Sequence, residues 1–393
     1  MYTQKAVFVI KGRKKMSLVS ITHTAGYAPE QILSDVRTHL GRFRLTERIP
    51  ADSRVLIKPN LLMKRRPEEF TTTHPTLVEA VIICLKEAGI KNITVADSPG
   101  GLYSAQLLKG IYDTCGISEV CRRQQVALNF STDSREIHRP ENHLVKSFPI
   151  IQPACDADFI IDIAKLKTHA MTGLSGTVKN LFGCIPGLTK PEYHWRFPEK
   201  ELFGEMLVDL CETLRPGFAL VDGVQAMEGN GPSGGELREL GMIAASDSLY
   251  DLDFFLCHVI GIDPMEICMV KSSVERGLCC GDLDKIELAG EMPRVRPFVI
   301  PQDKGIDFIG HVPKALRKPV KGIVNRFFTS RPAIRKKDCI GCGKCAESCP
   351  AKTIAIQNRK AVISYQRCIH CFCCHEMCPV KAIDIKRTTL FDH

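Results

Sequence analysis

The sequence predicts an α/β domain, a mostly parallel sheet covered by helices, followed by a small α+β domain built around cysteines. Three observations carry this reading. Short aliphatic or β-branched runs alternate with helical patterns through residue 290, as strand and helix must when each crossover returns to a parallel sheet. One cysteine spacing then occurs twice near the C-terminal end, and a basic, proline-punctuated stretch separates it from the rest. At 393 residues and 44% apolar content the chain can bury more than one core.

Taken in order, Ser17 to Ile21 alternates and opens the domain, with Met1 and Met16 both candidate starts. Arg54 to Lys58, Asn92 to Ala96, Phe159 to Ile163, Phe218 to Val221 and Gly241 to Ala245 read as strands. Pro75 to Glu87 sets Leu77, Val78, Val81, Ile82 and Leu85 on one face and stops at Gly89, an amphipathic helix with a glycine after its end. Leu102 to Cys115, Phe203 to Leu214 and Asp251 to Ile260 repeat that pattern. The large domain is expected over 16–290.

Open α/β sheets gather ligands at the carboxyl ends of their strands, so the polar residues there form the candidate site. Lys58 and Asn60 follow the second strand. Asp97 and Ser98 open a Pro-Gly-Gly turn suited to present N–H groups to an anion at the next helix. After Phe159 to Ala164, period-two alternation puts Lys165, Lys167 and His169 on one side. Thr177 can cap a helix that carries Lys179 and Asn180, and Asp222, Glu228 and Asn230 follow the strand at Phe218. The expected cleft is cationic and suited to a small carboxylate or phosphate. Lys165, Lys167, His169 and Lys179 are its candidate acid/base groups, with His169 the proton shuttle. Lys58, Asn60, Asp97, Ser98, Asn180, Asp222, Glu228 and Asn230 are its candidate binding groups.

Blander readings stand beside these. Lysines also guard sheet edges, but this strand is apolar on both faces up to Ala164, as a buried parallel strand would be. His74 suits a helix cap as well as a site, and Cys184 suits a buried structural thiol as well as a stabilised thiolate. Gly229 to Gly234 matches G-x-G-x-x-G, but it contains Pro232 and precedes too short a helix for a dinucleotide site.

Cys339, Cys342, Cys345 and Cys349 read C-x2-C-x2-C-x3-C-P, and Cys368, Cys371, Cys374 and Cys378 repeat it. This is the ligand pattern of two [4Fe–4S] clusters, in which the fourth cysteine of each run serves the other cluster. The expected sets are Cys339, Cys342, Cys345 with Cys378, and Cys368, Cys371, Cys374 with Cys349. Zinc sites use separated C-x2-C pairs, and disulfides between such close cysteines would be strained. Cys373 is an extra thiol beside a ligand. The segment resembles bacterial two-cluster ferredoxins.

The chain as a whole resembles the domain of unknown function 362 (DUF362) proteins, many of which end in such a ferredoxin domain. The resemblance rests on Lys58-Pro59-Asn60, Thr73-His74-Pro75, Asp97-Ser98-Pro99-Gly100-Gly101, Lys165-Leu166-Lys167-Thr168-His169, Lys179-Asn180-Leu181-Phe182-Gly183 and Asp222-Gly223-Val224 through Met227 to Pro232. It implies the fold and the domain order but no reaction. Where the family pattern leads one to expect D-P-V-A-x-D, this chain has Ser248 to Asp253 and keeps only the last acid.

The formal charge of +9 is concentrated in one place, with twelve Lys and Arg between Glu291 and Lys337 against three acids. Phe298, Phe308, Phe327 and Phe328 in that stretch suit a connector, 291–337, strapped over the large domain; contact with an acidic protein or anionic substrate is the next reading, and a nucleic-acid site the least favoured. The dicluster domain is expected over 338–388. No run approaches a membrane span, and nineteen cysteines favour a reducing cytoplasm with little oxygen. Two functional readings follow. One is an oxidoreductase passing low-potential electrons from a redox partner protein, through the clusters, to a small anionic substrate or bound cofactor in the cleft. The other is a ferredoxin-type carrier whose large domain only binds or docks.

Overall fold

A computed structural model describes residues 16–187, 189–300 and 330–387. Its strands are β1 Ser17–His23, β2 Val55–Pro59, β3 Ile93–Val95, β4 Ala127–Leu128, β5 Ser134–His138, β6 Ser147–Ile151, β7 Phe159–His169, β8 Gly173–Ser175, β9 Phe218–Glu228, β10 Glu236–Ser246 and β11 Ile286–Ala289. A nine-stranded sheet runs β11-β1-β10-β9-β7-β2-β3-β4, with β8 added to β7. The run β9-β7-β2-β3-β4 is parallel, whereas β10 lies antiparallel to both β9 and β1. The sheet is therefore mixed and mostly parallel, as the alternating pattern predicts.

Helices cover both faces. Helix Pro75–Glu87 forms where expected, started by its proline, and its apolar stripe enters the core that also holds Ile57 and Ile161. Helix Lys200–Leu214 and helix Leu249–Ile260 pack on the opposite core with Ala164 and Val221. Helix Ala105–Thr114 begins later than the apolar pattern suggests because Ser104 caps it, its Oγ accepting from Leu107 N at 3.3 Å, which leaves Leu102 53% exposed.

The central strands outrun their sequence signal. β7 continues through Lys165 to His169 because β8 folds back on it, Lys167 facing Ser175 and His169 facing Gly173. β9 and β10 likewise extend as a hairpin to the pair Glu228–Glu236. Backbone pairing replaces the apolar burial that the periodicity seeks, so the polar ends still count as strand.

The small domain adds β12 Ser330–Ile334, β13 Ile354–Gln357, β14 Lys360–Ile363 and β15 Ile383–Arg387, paired antiparallel as β12-β15 and β13-β14. β12 lies within the expected connector range yet belongs to this domain's ladder. Of the connector, 301–329 lies outside the described residues. Its first part straps the large domain: Phe298 is buried and its N–H donates to Ile260 O at 2.8 Å.

Candidate functional site

Where the carboxyl ends of β2, β3 and β7 meet the small domain, the chain encloses a cavity of about 90 Å³. One water needs about 10–15 Å³ of such space, so several waters or a small organic acid fit. Lys58, Asn60, Asp97, Ser98, Lys167, His169, Lys179 and Asn180 line it from the large domain.

Its floor is a closed polar network. Lys58 Nζ lies 2.9 Å from Asp97 Oδ1 and donates to Pro59 O and Asn180 Oδ1. Burial works against that ammonium, but Asp97 and Asp162 outweigh it and hold Lys58 above its ordinary range. Asn180 also accepts from Asn60 Nδ2 at 2.8 Å and donates to Asp162 Oδ1 at 2.8 Å. Burial drives the Asp162 carboxyl well up, despite the Lys58 charge and the Asn180 bond. Gly183 has no room for a side chain: a Cβ there would stand 2.1 Å from Asp97 Oδ1 and 2.6 Å from Lys58 Nζ.

The walls hold cations of a different kind. Lys167 Nζ donates to Asn60 Oδ1 and Thr71 O, both at 2.9 Å. Burial, with the Lys165 and Lys179 charges, brings it down to about 7. Lys179 is half-buried, its ammonium 5.1 Å from the Phe182 ring centre, and burial lowers it too. Burial is also the largest cause that takes Lys190 to about 7, where its ammonium donates to Ser98 O and Ile185 O.

His169 Nδ1 accepts the N–H groups of Met171 and Thr172 at 3.1 and 3.2 Å. Its proton therefore sits on Nε2. Burial pushes the ring down to about 4, so it is neutral at pH 7. Nε2 lies 2.9 Å from Glu376 Oε1 of the small domain, off the line of a good hydrogen bond, so the contact is a close electrostatic one. His194 is stacked on Phe203 at 4.6 Å and buried, with Nδ1 unpartnered among the described residues.

The helix that presents Lys179 and Asn180, Thr177–Asn180, is not capped by Thr177 but across the fold. Asp253 Oδ1 accepts from Thr177 N at 2.7 Å and Oδ2 from Val178 N at 3.1 Å. That structural duty accounts for Asp253 as the acid kept in the Ser248 to Asp253 stretch.

Four expected residues lie elsewhere. Lys165 shares the side of Lys167, but it is sealed by Tyr27 and Asp222, at 2.8 and 3.0 Å. Asp222 also accepts from Tyr27 Oη and His74 N, making it the anchor of a buried knot rather than a binding group. His74 serves the cap, its Nδ1 accepting from Thr76 N, with its ring stacked on Tyr27 at 3.6 Å. Glu228 is occupied by the strap, through Arg296 at 2.6 Å and Val299 N at 3.0 Å. Asn230 is exposed on the β9-β10 turn, where its carbonyl accepts from His375 Nε2 at 3.0 Å. Cys184 is buried and burial pushes its thiol up to about 12, so it is no thiolate. The turn at Asp97 lines the cavity but is no anion nest, since Ser98 N is spent on Gly183 O and the next helix starts only at Ala105.

In the small domain the cysteines surround two separate small cavities. Cys339, Cys342, Cys345 and Cys378 line one; Cys349, Cys368, Cys371 and Cys374 line the other. Backbone N–H groups point at the sulfurs, Ala382 to Cys378 at 3.1 Å, with Ala361 to Cys339 and Thr353 to Cys349 at 3.4 Å. Four thiols and inward N–H donors around each apolar cavity fit the charge and ligand demand of a [4Fe–4S] cluster. Cys373 also lines the interdomain cavity, with Glu376, Met377 and Ser348, while its thiol stays in contact with the Cys371 thiol.

Sequence reasoning missed Lys190, His194, Glu376 and Met377, and it noted Cys373 only as an extra thiol, not as a cavity residue. Nothing periodic marks the first two, whose helix Thr189–Arg196 reaches the cavity only after the Gly183 to Gly187 turn. The other three hide inside the cysteine motif, where the ligand spacing absorbs all the signal.

Comparison with known proteins identifies both parts of the chain. Residues 55–258 match the family model "Domain of unknown function (DUF362)", and residues 331–379 match a 4Fe-4S dicluster domain. A thylakoid-associated protein of Synechocystis sp. is 33% identical over 328 residues, which span 79% of this chain and 95% of that protein. The lactate racemase apoprotein of Thermoanaerobacterium thermosaccharolyticum aligns with a TM-score of 0.40 at 15% identity, over 63% of this chain and 57% of its own length. A protein of Thermotoga maritima aligns at 0.33 with 16% identity, over 52% of each chain. The chain thus belongs to the DUF362 family and carries a C-terminal 4Fe-4S dicluster domain.

Proposed function

We propose that this protein is an iron–sulfur oxidoreductase that reduces a small anionic substrate in the interdomain cavity. One observation carries the reading: the same cavity is walled by Lys167, Lys179 and Lys190 and by residues adjacent to the cluster cysteines, namely Ser348, Cys373 and Met377. Held by the two cysteine sets, the clusters would supply electrons one at a time. The lysines attract and orient the anion in a partly desolvated space, where each charge counts for more than in water. Lys167 and Lys190, both near 7, can give or take a proton at neutral pH. Reduction by two electrons consumes two protons, and these two lysines are sources within reach. Neutral His169 keeps its Nε2–H as a hydrogen-bond donor beside Glu376.

The second reading, a carrier whose large domain only binds, draws on the paired state of Lys58 and Lys165, which Asp97 and Asp222 already neutralise. A reducing setting such as the cytoplasm suits either reading, since none of the nineteen cysteines is paired in a disulfide. No helix of the described residues is long and apolar enough to cross a membrane.

The test is anaerobic. Chemically reduced protein is offered a panel of small carboxylates and oxyanions, and cluster bleaching is followed in the visible range. Reoxidation by one class, abolished in Lys167→Ala with both cluster signals kept, is the expected result. If no anion reoxidises the clusters or binds, the carrier reading replaces this one.

A further inference from the structure

The two cysteine sets meet solvent differently. The cavity of Cys349, Cys368, Cys371 and Cys374 is lined by buried or half-buried residues throughout. Its members Cys349 and Cys374 are flanked by Ser348 and Cys373, which face the interdomain cavity. The cavity of Cys339, Cys342, Cys345 and Cys378 instead has a thin outer wall. Ile340, Ile356 and Val380 line it while being 62%, 40% and 39% exposed, and Cys342 itself is exposed. Three large aliphatic side chains over a redox centre form a low-polarity window one side chain thick.

Charge surrounds that window. Lys336 and Lys337 are exposed just before Cys339, Arg359 is exposed with its carbonyl passing beside Gly341, and Lys360 Nζ donates to Cys339 O at 2.6 Å. The nearby acids offset them only in part: Asp338 and Asp384 share Arg335, which leaves one negative charge against Lys336, Lys337, Arg359 and Lys360. Over 330–387 the sequence holds twelve Lys and Arg against four Asp and Glu.

We propose that the Ile340–Ile356–Val380 face is the docking surface for an acidic one-electron carrier protein, so that electrons enter by the first cysteine set and leave toward the interdomain cavity by the second. An apolar centre excludes water from the contact while the basic rim steers an acidic partner into register. The exchange is a single electron: the carrier is oxidised by one equivalent, the centre behind the window is reduced by one, and no bond or proton moves. The docking surface rests on the two-cluster reading of the small domain alone; the exit toward the interdomain cavity rests also on the acceptor proposed there.

The test measures binding by anaerobic calorimetry, with the cluster-loaded full chain, a small acidic flavodoxin and, as the contrary probe, a basic c-type cytochrome. Flavodoxin is expected to bind the tighter of the two and to lose at least about tenfold in affinity as salt rises from roughly 20 to 200 mM, because rim charges are screened over that range. Lys336→Glu with Lys337→Glu is expected to cost at least tenfold at low salt. Ile340→Glu is expected to cost as much at either salt level, and Lys91→Glu, at the far end of the sheet, to cost nothing. Absorbance and spin-resonance signals of both clusters, unchanged in every variant, separate lost docking from lost cofactor. Equal flavodoxin affinity before and after the charge reversals, or preference for the cytochrome, overturns the proposal. So does binding to vesicles of anionic lipid, lost on charge reversal, with none to flavodoxin; that result assigns the face to a membrane surface.

Discussion

His169 Nε2 stands 2.9 Å from Glu376 Oε1, and through that approach the end of β7 meets the helix that carries Cys374. One residue comes from the large domain and the other lies between two cysteines of the dicluster domain. Both side chains are largely hidden from solvent, so their interaction is weakly screened. A double-mutant cycle of His169→Ala and Glu376→Ala, read by denaturant unfolding of the cluster-loaded protein, should give a coupling of about 1–3 kcal/mol. Additive effects would reduce the contact to coincidence.

Anion binding should weaken as pH rises through about 7, where Lys167 and Lys190 lose their protons. Stability of the ligand-free chain should move the opposite way. Both lysines sit below their unfolded value, so between about 7 and 10.5 the unfolded chain holds protons that the native one has released, and stability rises with pH. Titration of anion affinity alongside thermal melts across this window checks both signs, and Lys167→Met should flatten each.

Gly183→Ala should be costly although no left-handed backbone is involved. The added methyl would stand 2.1 Å from Asp97 Oδ1, forcing apart the Lys58–Asp97 pair. Overpacking of this kind costs about 1–3 kcal/mol. Denaturant midpoints compared with Gly277→Ala, where nothing lies within 4 Å of the added carbon but the φ of +69° is strained, separate clash from backbone strain.

Cys349→Ala should disturb the cluster signal that Cys368, Cys371 and Cys374 also control, and spare the one tied to Cys339, Cys342 and Cys345. Cys373→Ala should keep both signals, because each set retains its four cysteines, with any shift confined to the set of Cys371, whose thiol Cys373 touches. Spin-resonance spectra of the reduced variants decide it, and loss of the first signal in Cys349→Ala would overturn the crossed pairing.

The cysteine sets were legible because their ligands are close in the chain and their spacing alone brings them together. Helix Pro75–Glu87 and the alternation at Lys165, Lys167 and His169 were legible for the same local reason. What the alternation could not say is which of those side chains meets open space. Lys165 and Lys167 are two residues apart on one side of β7, yet the register of β7 against β9 shifts between them. Tyr27 and Asp222, far away in sequence, seal Lys165, while Lys167 is left to the cavity with Asn60. Glu228 was likewise claimed by Arg296 of the strap, and Lys190, His194 and Glu376 were brought in by elements that carry no periodic mark. Local pattern therefore determined the elements, the cluster ligands and the side of β7 that carries charge. Only the tertiary structure decided which buried charges are neutralised and which remain to meet a ligand, because a charge in a dry interior is governed by the partners the whole fold delivers to it.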